Sequence, residues 1–322
     1  MKVGIDVSPL AQTGAGTARH VRGLLTALEG RADLDLRRLT FGTGGRAASI
    51  ARDSVWYPVG IARAARDVDV LHCTTMRAPL RSRPAVVATV HDVAVFRHPE
   101  AFPPWHRHTG RLALRQAVRT ADAIVAVSAF TRDELGDLLG IPGERVRVVG
   151  NGVDPIFTAA GPVAEGDYVL AVGTLEPRKN LTRAVEAARL AGVEVRVVGA
   201  SGWGGVAVPG WVGRVDDEEL AALYRGARCL LFPSLYEGFG IPILEAMACG
   251  TPVVTSRGGA TEEVAGTAAV LVDPLDVEAI AVGIGEAHRR RAELASLGLE
   301  RAASFTWQRA AADLEALWRE LS

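Results

Sequence analysis

The feature that most constrains the fold of this chain is a regular alternation of short β-rich apolar runs with longer segments of helical periodicity. Such alternation is typical of parallel βαβ units, in which each helix returns the chain to the start of the next strand. The series is interrupted by the Gly- and Pro-containing stretch 151–167 and then starts again. We therefore predict an α/β protein with two doubly wound, Rossmann-like domains.

The predicted elements set the domain boundaries at 1–155 and 156–304, followed by a C-terminal helix in 305–322 that crosses back to the first domain. Strands are expected at 3–7, 34–40, 68–73, 85–90, 123–127 and 145–149, and then at 168–172, 194–198, 228–232 and 252–254. Helices are expected near 17–28, 105–120, 131–139, 181–191, 217–225 and 241–249.

Composition fits a two-domain protein, because 322 residues with 48% hydrophobic content exceed what one domain usually holds. The net charge of −1 hides an asymmetry. Residues 1–155 carry 21 Lys and Arg against 15 Asp and Glu, and residues 156–322 carry 15 against 22. A basic first half suits an anionic partner or a membrane surface, although arginines spread over a solvated surface give the same count.

The cysteines and the N-terminus indicate the compartment. Cys73, Cys229 and Cys249 are isolated, which favours a reducing environment and argues against a structural zinc site. The start "MKVGIDVSPL" contains Asp6 and is typical of a first strand rather than a signal peptide. No apolar run approaches the roughly 20 residues of a membrane span. We expect a cytoplasmic protein, with peripheral contact to the inner face of a membrane as an option.

One candidate site follows the strand 168–172, where the sequence reads "GTLEPRKN". Gly173 lies in the turn, and Arg178 and Lys179 stand at the entrance to the next helix. Ligands of open parallel sheets bind beyond the carboxyl ends of the strands, and a helix N-terminus favours a phosphate. We predict a phosphate site here; the alternative is an exposed basic pair at a helix start. Lys179 is one of only two lysines, the other being Lys2.

A second candidate site follows the strand 228–232, where "EGFGIPILEAMACGTPVV" begins. Gly238 and Gly240 allow a ring to approach the backbone closely. Glu237 precedes the helix, and Glu245 lies about one turn inside it, where a carboxylate can accept hydrogen bonds from a vicinal diol such as ribose. The alternative is a pair of surface glutamates beside an ordinary helix.

Two histidines end strands of the first series. We expect His91, which follows the strand 85–90, to bind a sugar hydroxyl or position an acceptor; the alternative is a structural histidine bonded to Asp92 or to backbone. His72 ends the strand 68–73 without supporting residues, and we interpret it as structural.

Other motifs are discounted. Asp33 to Asp35 and Asp67 to Asp69 fit the D-x-D spelling of metal-dependent transferases but lie at the amino ends of strands, so we expect no catalytic metal. Asp216 and Asp217 are typical of helix capping and first-turn acids. A dinucleotide fingerprint is disfavoured because Arg19 stands where its third glycine belongs.

A run of arginines, Arg107, Arg111, Arg115 and Arg119, repeats every four residues along the predicted helix 105–120. We expect the four on one helix face, where they suit an acceptor phosphate or a membrane surface, or form an ordinary solvated face.

Taken together, these segments resemble glycosyltransferase family 4, retaining enzymes of the GT-B fold, and its mannosyltransferase-like members in particular. "EGFGIPILEAMACGTPVV" resembles the E-x7-E motif of that family. Similar segments run along nearly the whole chain: "TVHDVAVFRHPEAFPPWHRH", "ADAIVAVSAFTRDEL", "VVGNGVD", "VLAVGTLEPRKN", "LYRGARCLLFPSLYEGFG" and "FTWQRAA".

The resemblance implies a role for each matching residue. Glu237 would lie against the transferred sugar, Glu245 would bind the ribose hydroxyls, Arg178 and Lys179 would hold the diphosphate, and His91 would be the active-site histidine. The glycine-rich loop after the first strand matches "TGAGTARH", although Ala18 stands where relatives often have a further glycine. The donor-binding set implied is therefore Gly14, Gly16, Gly173, Arg178, Lys179, Glu237, Gly238, Phe239, Gly240 and Glu245.

The implied function is transfer of a hexose from a nucleotide diphosphate sugar, GDP-mannose or a UDP-sugar, to a hydroxyl acceptor on a glycan or lipid-linked glycan, with retention. The two domains would face each other across a cleft. No cofactor, metal or nucleic-acid partner is expected. The alternatives are a GT-B epimerase or phosphorylase, which needs no second acceptor, and a non-catalytic nucleotide-sugar-binding subunit.

Overall fold

A computed structural model describes residues 1–12, 16–42 and 45–322. The chain divides into two compact units. Unit 1 comprises Met1–Arg97, Pro104–Gly152 and Trp307–Ser322, and unit 2 comprises His98–Pro103 and Val153–Thr306. In the described part of the chain, no helix is both long and apolar enough to cross a membrane.

Unit 1 is built on a parallel sheet whose strands lie in the order β2-β1-β3-β4-β5-β6. The central strands are buried apolar runs, as parallel strands covered on both faces must be. The strands are β1 Lys2–Asp6, β2 Asp35–Leu39, β3 Val70–Cys73, β4 Ala85–Val90, β5 Ala123–Ala126 and β6 Val146–Val148.

Helices cover this sheet between consecutive strands, except between β3 and β4, where the connection has no helix. They are α1 Pro9–Gln12, α2 Gly16–Leu28, α3 Arg46–Ala51, α4 Ile61–Ala64, α5 Ala94–Arg97, α6 Pro104–Thr120 and α7 Ala129–Leu139. A π-helical segment, Arg52–Gly60, joins α3 to α4, and 3-10 turns occupy Pro99–Ala101 and Gly143–Arg145.

Unit 2 repeats the architecture with the strand order β12-β11-β10-β7-β8-β9. All of its strand pairs are parallel. The strands are β7 Tyr168–Val172, β8 Glu194–Val198, β9 Trp211–Gly213, β10 Leu230–Phe232, β11 Val253–Ser256 and β12 Val270–Val272. The helices are α8 Leu181–Leu190, α9 Asp217–Gly226, α10 Ile241–Ala248, α11 Gly259–Ala265, α12 Val277–Arg289 and α13 Arg291–Ala303, with a 3-10 turn at Pro177–Lys179.

The last helix, α14 (Trp307–Leu321), belongs to unit 1, where it packs on α2. Its buried Trp307 and Trp318 join the core formed by α2 and the sheet. Arg31 after α2 pairs with Glu315 of α14, and Arg147 of β6 pairs with Glu320 at 2.7 Å. The end of the chain is therefore an integral part of the first unit.

The α/β prediction with two Rossmann-like sheets is confirmed, and every predicted strand and helix is present to within a few residues. The prediction lacks β9, β12 and the helices α1, α3, α4, α5 and α11 to α13. The missed strands are three residues long, and β9 is an edge strand whose Trp211 and Val212 are exposed. The inclusion of His98–Pro103 in unit 2 is also absent from the prediction. There, Trp203 donates a hydrogen bond to the Ala101 carbonyl at 2.5 Å.

Candidate active site

The two predicted donor-binding segments meet because their strands are neighbours. β7 and β10 are paired parallel strands in the sheet of unit 2, so the loops that follow them both begin at the carboxyl end of that sheet. The Leu235 amide donates to the Arg178 carbonyl at 2.9 Å, which joins the two loops directly. Side chains from residues 176–179 and 234–245 therefore share one site at the carboxyl end of the sheet.

The centre of this site is an ion pair between Lys179 and Glu237. The Lys179 Nζ donates to Glu237 Oε1 at 2.6 Å, and the Arg178 Nη1 donates to Glu237 Oε2 at 3.1 Å. Glu237 is only 9% exposed. One buried carboxylate is thus held by two cations, one on each oxygen.

Arg178 is also tied to the surrounding protein. Its Nη1 donates to the Tyr236 carbonyl at 2.8 Å, and its Nη2 donates to Glu176 Oε1 at 2.8 Å. Glu176 is 4% exposed. Along the cluster the charges alternate as Glu176, Arg178, Glu237 and Lys179, so the four formal charges cancel. Glu176 is absent from the set of site residues predicted from the sequence. Its position two residues before Arg178 could have indicated that the two side chains pair.

The electrostatics of Glu237 follow from this pairing. Burial alone raises the pKa of a carboxyl group, but the charges of Lys179 and Arg178 and the hydrogen bond from Lys179 outweigh it, and the pKa of Glu237 lies below its ordinary value. Glu237 is therefore a carboxylate at neutral pH.

Backbone geometry explains two residues of the loop after β7. A Cβ on Gly173 would come within 3.2 Å of the Lys179 side chain, so glycine lets the lysine stem cross the backbone. Asn180 adopts a left-handed conformation, φ 57°, before α8. Its Nδ2 holds that turn by donating to the carbonyls of Pro233 and Pro274 at 2.9 and 2.7 Å.

Gly240 starts helix α10 with φ 107° in a region that favours glycine, and a Cβ there would meet Ile243 at 3.0 Å. Gly238 lies in the same turn. Phe239 between them is 6% exposed, and its ring packs edge-on to Phe305 with centroids 5.9 Å apart. The structure thus places the Phe239 side chain in the core, and only its backbone belongs to the turn.

Glu245 lies one turn into α10 and is 2% exposed. Its Oε2 accepts a hydrogen bond at 3.0 Å from the hydroxyl of Tyr224 on α9, which is fully buried. One carboxylate oxygen is therefore engaged within the protein. Tyr224 is a further site residue that the sequence-based set lacks.

In unit 1, His91 lies directly after β4 and is half-buried. Its Nε2 is 2.9 Å from the Thr74 carbonyl. A carbonyl can only accept, so in the neutral ring Nε2 carries the proton and Nδ1 is left as an acceptor. Burial lowers the pKa of His91, against the smaller effects of Thr74 and Asp92. The backbone bond foreseen for a structural histidine is present, and it also orients the second nitrogen.

His20 on α2 is a neighbour of His91 that the sequence-based set lacks. The two rings meet edge-on with centroids 4.7 Å apart, and His20 Nδ1 lies 2.6 Å from Asn151 Oδ1. Burial, and then the nearby His91, lower the pKa of His20 well below its ordinary value. The sequence could have indicated that His20 is buried, because it lies four residues before the buried Leu24 and therefore on the same face of α2.

His72, interpreted as structural, is fully buried, and its Nε2 lies 2.8 Å from the Thr89 hydroxyl. Burial lowers its pKa to about 3. Gly16 is the first residue of α2. The predicted donor-binding residue Gly14 lies outside the described residues.

The discounted acids lie where they were predicted. Asp35 and Asp69 are at the amino ends of β2 and β3, and Asp216 caps α9 by accepting from the Glu219 amide at 2.8 Å. Within the ranges that the structure describes, no three His, Cys, Asp or Glu side chains form a group that could hold a metal ion.

The four arginines of the run on α6 differ in burial, although Arg111 and Arg115 both lie over the ring of Phe96. Arg107 and Arg111 are half-buried, whereas Arg115 and Arg119 are exposed. Arg111 donates to the Val95 carbonyl at 3.0 Å. The reason is geometric: with 3.6 residues per turn, each step of four residues advances about 40° around the helix, so the run winds across its surface.

Comparisons with known proteins agree with this architecture. The family model described as Glycosyltransferase Family 4 matches residues 4–157, and the one described as Glycosyl transferases group 1 matches residues 166–290. The chain is 34% identical over 254 residues to O-antigen chain mannosyltransferase B of Escherichia coli, covering 69% of this chain and 67% of that protein. It is 26% identical over 311 residues to O-antigen chain mannosyltransferase RfbU of Salmonella typhimurium, covering 84% and 87%.

Solved structures share the fold at lower identity. Sucrose-phosphate synthase of Thermosynechococcus elongatus superposes with a TM-score of 0.80 at 21% identity, covering 99% of this chain and 98% of that one. The Anabaena protein HepE, in complex with UDP-glucose, gives 0.79 at 19% identity over 100% of both chains. With both halves of the chain matched by family models, and with a relative at 34% identity, the protein belongs to glycosyltransferase family 4 and has the GT-B fold.

Proposed function

We propose that this glycosyltransferase moves a hexose from a nucleotide diphosphate sugar to a hydroxyl of a glycan or lipid-linked glycan acceptor, with retention and without a metal ion. The observation that carries the proposal is the pairing of Lys179 and Arg178 with Glu237 at the strand ends of unit 2. GDP-mannose is the first choice of donor, because relatives from Escherichia coli and Salmonella typhimurium are named mannosyltransferases. UDP-sugars come second, because HepE was solved with UDP-glucose.

The geometry supports different roles for the two cations. An ammonium group has three N–H donors, and Lys179 gives one to Glu237, so two can bind donor phosphate oxygens. The hydrogen bonds of Arg178 to Glu176, Glu237 and the Tyr236 carbonyl suit it to holding Glu237 in place. Lys179 is then the main ligand of the diphosphate.

The other site residues supply hydrogen-bond acceptors, and their proposed roles follow from that. Glu237 lies against the sugar and stabilises the positive charge that develops on it. Glu245 binds the ribose hydroxyls, and the hydrogen bond from Tyr224 fixes the orientation of its carboxylate. His91 accepts a hydrogen bond from a sugar hydroxyl at Nδ1.

In the proposed reaction, the bond between the anomeric carbon and the terminal phosphate oxygen breaks, and a bond to the acceptor oxygen forms on the same face. The acceptor proton passes to the leaving phosphate. Lys179 stabilises the negative charge on that phosphate, which in a largely buried site is a substantial part of catalysis.

The first test is nucleotide binding by calorimetry, with GDP, GDP-mannose and UDP-glucose titrated in parallel. The variants are Lys179→Ala and Glu245→Gln, the latter chosen because an amide oxygen can still accept from the buried Tyr224. We expect each to weaken binding by at least tenfold, since each loses a charge-assisted hydrogen bond of about 1.5–3 kcal/mol.

The matched controls are Lys2→Ala, which removes the other lysine, and Glu300→Gln on the exposed surface of α13. Both should bind like the parent. Parental affinity in Lys179→Ala and Glu245→Gln would show that these residues do not form the nucleotide site and would overturn the proposed assignment.

A second test follows the product. With donor and an oligosaccharide acceptor, the one-bond C1–H1 coupling measured by NMR at the new anomeric centre should indicate the same anomeric configuration as in the donor. Inversion would overturn retention. A free epimer or sugar phosphate formed without acceptor would indicate an epimerase or phosphorylase, and binding without turnover a non-catalytic subunit.

A further inference from the structure

Unit 1 contains a cavity of about 400 Å³, and none of the candidate active-site residues is part of its lining. Its walls are the π-helical segment Arg52–Gly60, the connection 74–84 between β3 and β4, and helix α6. Parallel strands are usually joined by a crossover helix that covers the sheet, and this connection has none. The Leu80 amide instead donates to the Pro58 carbonyl at 3.0 Å, so the connection lies against the π-helical segment. The cavity occupies the space beside it.

The lining is mostly apolar. Pro58, Ala78, Leu80, Leu112 and Ala113 all face the cavity. Leu80 and Leu112 are 54% and 52% exposed, so a bound hydrocarbon chain would remove their apolar surface from water. A volume of this size is within the range of small-molecule sites. The walls therefore suit a hydrocarbon chain.

The charged lining is positive. Arg77 pairs with Asp53 at 2.8 Å, and these two charges compensate each other. Arg115 and Arg119 also line the cavity and are exposed, and no ion pair to either occurs among the described residues. They are four residues apart on α6, so their side chains are neighbours on the helix surface. Two uncompensated guanidinium groups beside an apolar cavity are complementary to an anionic head on an apolar tail.

We propose that this cavity binds an anionic amphiphile, with the hydrocarbon chain between Leu80 and Leu112 and a phosphate head on Arg115 and Arg119. The inference rests on the proposed function in one respect: the amphiphile would be the carrier of the acceptor hydroxyl. Binding of the amphiphile itself does not depend on that role.

The test uses three probes below their micellar concentrations, in the absence of any nucleotide-sugar: dodecyl phosphate, dodecyl maltoside and inorganic phosphate. They present a chain with an anionic head, a chain with an uncharged head, and the anionic head alone. Calorimetry should show dodecyl phosphate binding at least tenfold more tightly than either of the others. Equal affinity for dodecyl phosphate and either partial probe would overturn the proposal.

Variants locate the site. Arg115→Glu with Arg119→Glu reverses the head-group charges on an exposed surface, and Ala113→Trp fills the cavity from α6. Each should weaken dodecyl phosphate binding at least tenfold. The matched control, Arg63→Glu with Arg66→Glu, makes the same charge change at exposed positions outside the lining and should bind like the parent. Parental binding in both lining variants would overturn the proposal, and the arginine variant decides alone where Ala113→Trp fails to fold.

Two further measurements distinguish amphiphile binding in the cavity from binding to a membrane surface and from the proposed transferase activity. Flotation with phosphatidylglycerol vesicles that is lost in the arginine variant, without any binding of monomeric dodecyl phosphate, would mean a membrane-surface site and would overturn the cavity proposal. Turnover of GDP-mannose with a soluble oligosaccharide tests the proposed function separately. If the parent protein binds dodecyl phosphate but does not turn over GDP-mannose, that result counts against the proposed function and leaves the cavity proposal standing.

Discussion

At the residue scale, the candidate site depends on charge alternation rather than on an excess of positive charge. Arg178 lies between Glu176 and Glu237, at 2.8 and 3.1 Å, and its side chain is 12% exposed. A partly buried guanidinium that loses one of two carboxylates keeps the desolvation penalty and loses the compensation. We therefore expect Glu176 to position Arg178, and through it Glu237, rather than to bind the donor itself.

We expect Glu176→Gln to lower kcat/KM for the nucleotide-sugar about tenfold, a loss of about 1.4 kcal/mol in transition-state stabilisation. Removing this negative charge also leaves Arg178 to act on Glu237 alone, so the acid limb of the kcat/KM profile should move to lower pH. Rate against pH for Glu176→Gln, beside the exposed control Glu194→Gln, checks this. An unshifted acid limb would show that Glu176 serves stability alone.

At the element scale, the docking of α14 on α2 requires one small residue. A Cβ on Gly23 would lie 2.1 Å from Trp307 Cε2, far inside van der Waals contact. Trp307 is 5% exposed and belongs to the core of unit 1. Glycine is unfavourable inside a helix, so its presence in the middle of α2 is explained by the tryptophan ring and not by the helix.

Gly23→Ala should therefore destabilise the protein, although the same change stabilises most helices by up to about 1 kcal/mol. Overpacking against Trp307 should lower the free energy of unfolding by about 1–3 kcal/mol. Thermal unfolding followed by circular dichroism provides the measurement. Gly285→Ala on α12 is the control, because its Cβ would meet only the end of the Arg289 side chain at 3.4 Å, and its midpoint should be unchanged or higher. Equal midpoints for the two variants would contradict the packing argument.

At the scale of the whole molecule, buried titratable groups make stability depend on pH. Burial lowers the pKa of His72 to about 3 and that of His20 well below its ordinary value of 6.5. Between these values the unfolded chain binds protons that the folded protein does not, so the free energy of unfolding decreases as pH falls below 6.5. The depressed pKa of Glu237 adds stability that is present above about pH 4.5 and is lost below it, whereas burial raises the pKa of Asp6 and acts in the opposite direction.

Each histidine that stays neutral in the fold should lower the free energy of unfolding by about 1.4 kcal/mol per pH unit below 6.5, or about 3 kcal/mol at pH 5.5 for His20 and His72 together. Urea unfolding between pH 5.5 and 7.5 measures the slope. His72→Phe should reduce it by about one proton. The same slope in His72→Phe as in the parent would contradict this account.

The sequence by itself determined the two parallel sheets and the candidate site at the end of the second one. Hydrophobic alternation can be read from short segments of sequence and locates the strands. Because ligands of parallel sheets bind beyond the carboxyl ends of the strands, the residues that follow each strand are expected to lie near one another. For this reason Lys179 and Glu237, 58 residues apart, could be predicted to lie together, and the structure brings them within 2.6 Å. Gly173 and Gly240 were recognisable for the same local reason.

Only the tertiary structure decided how deeply these side chains lie and what else they contact. The hydrogen bond between Glu245 and Tyr224, the bonds of Arg178 to Glu176 and Tyr236, and the contact of His20 with His91 depend on how helices and loops pack. The cavity of unit 1 arises because the connection between β3 and β4 has no helix. Side-chain partners and empty space are set by neighbours distant in sequence, and hydrophobic periodicity carries no record of them.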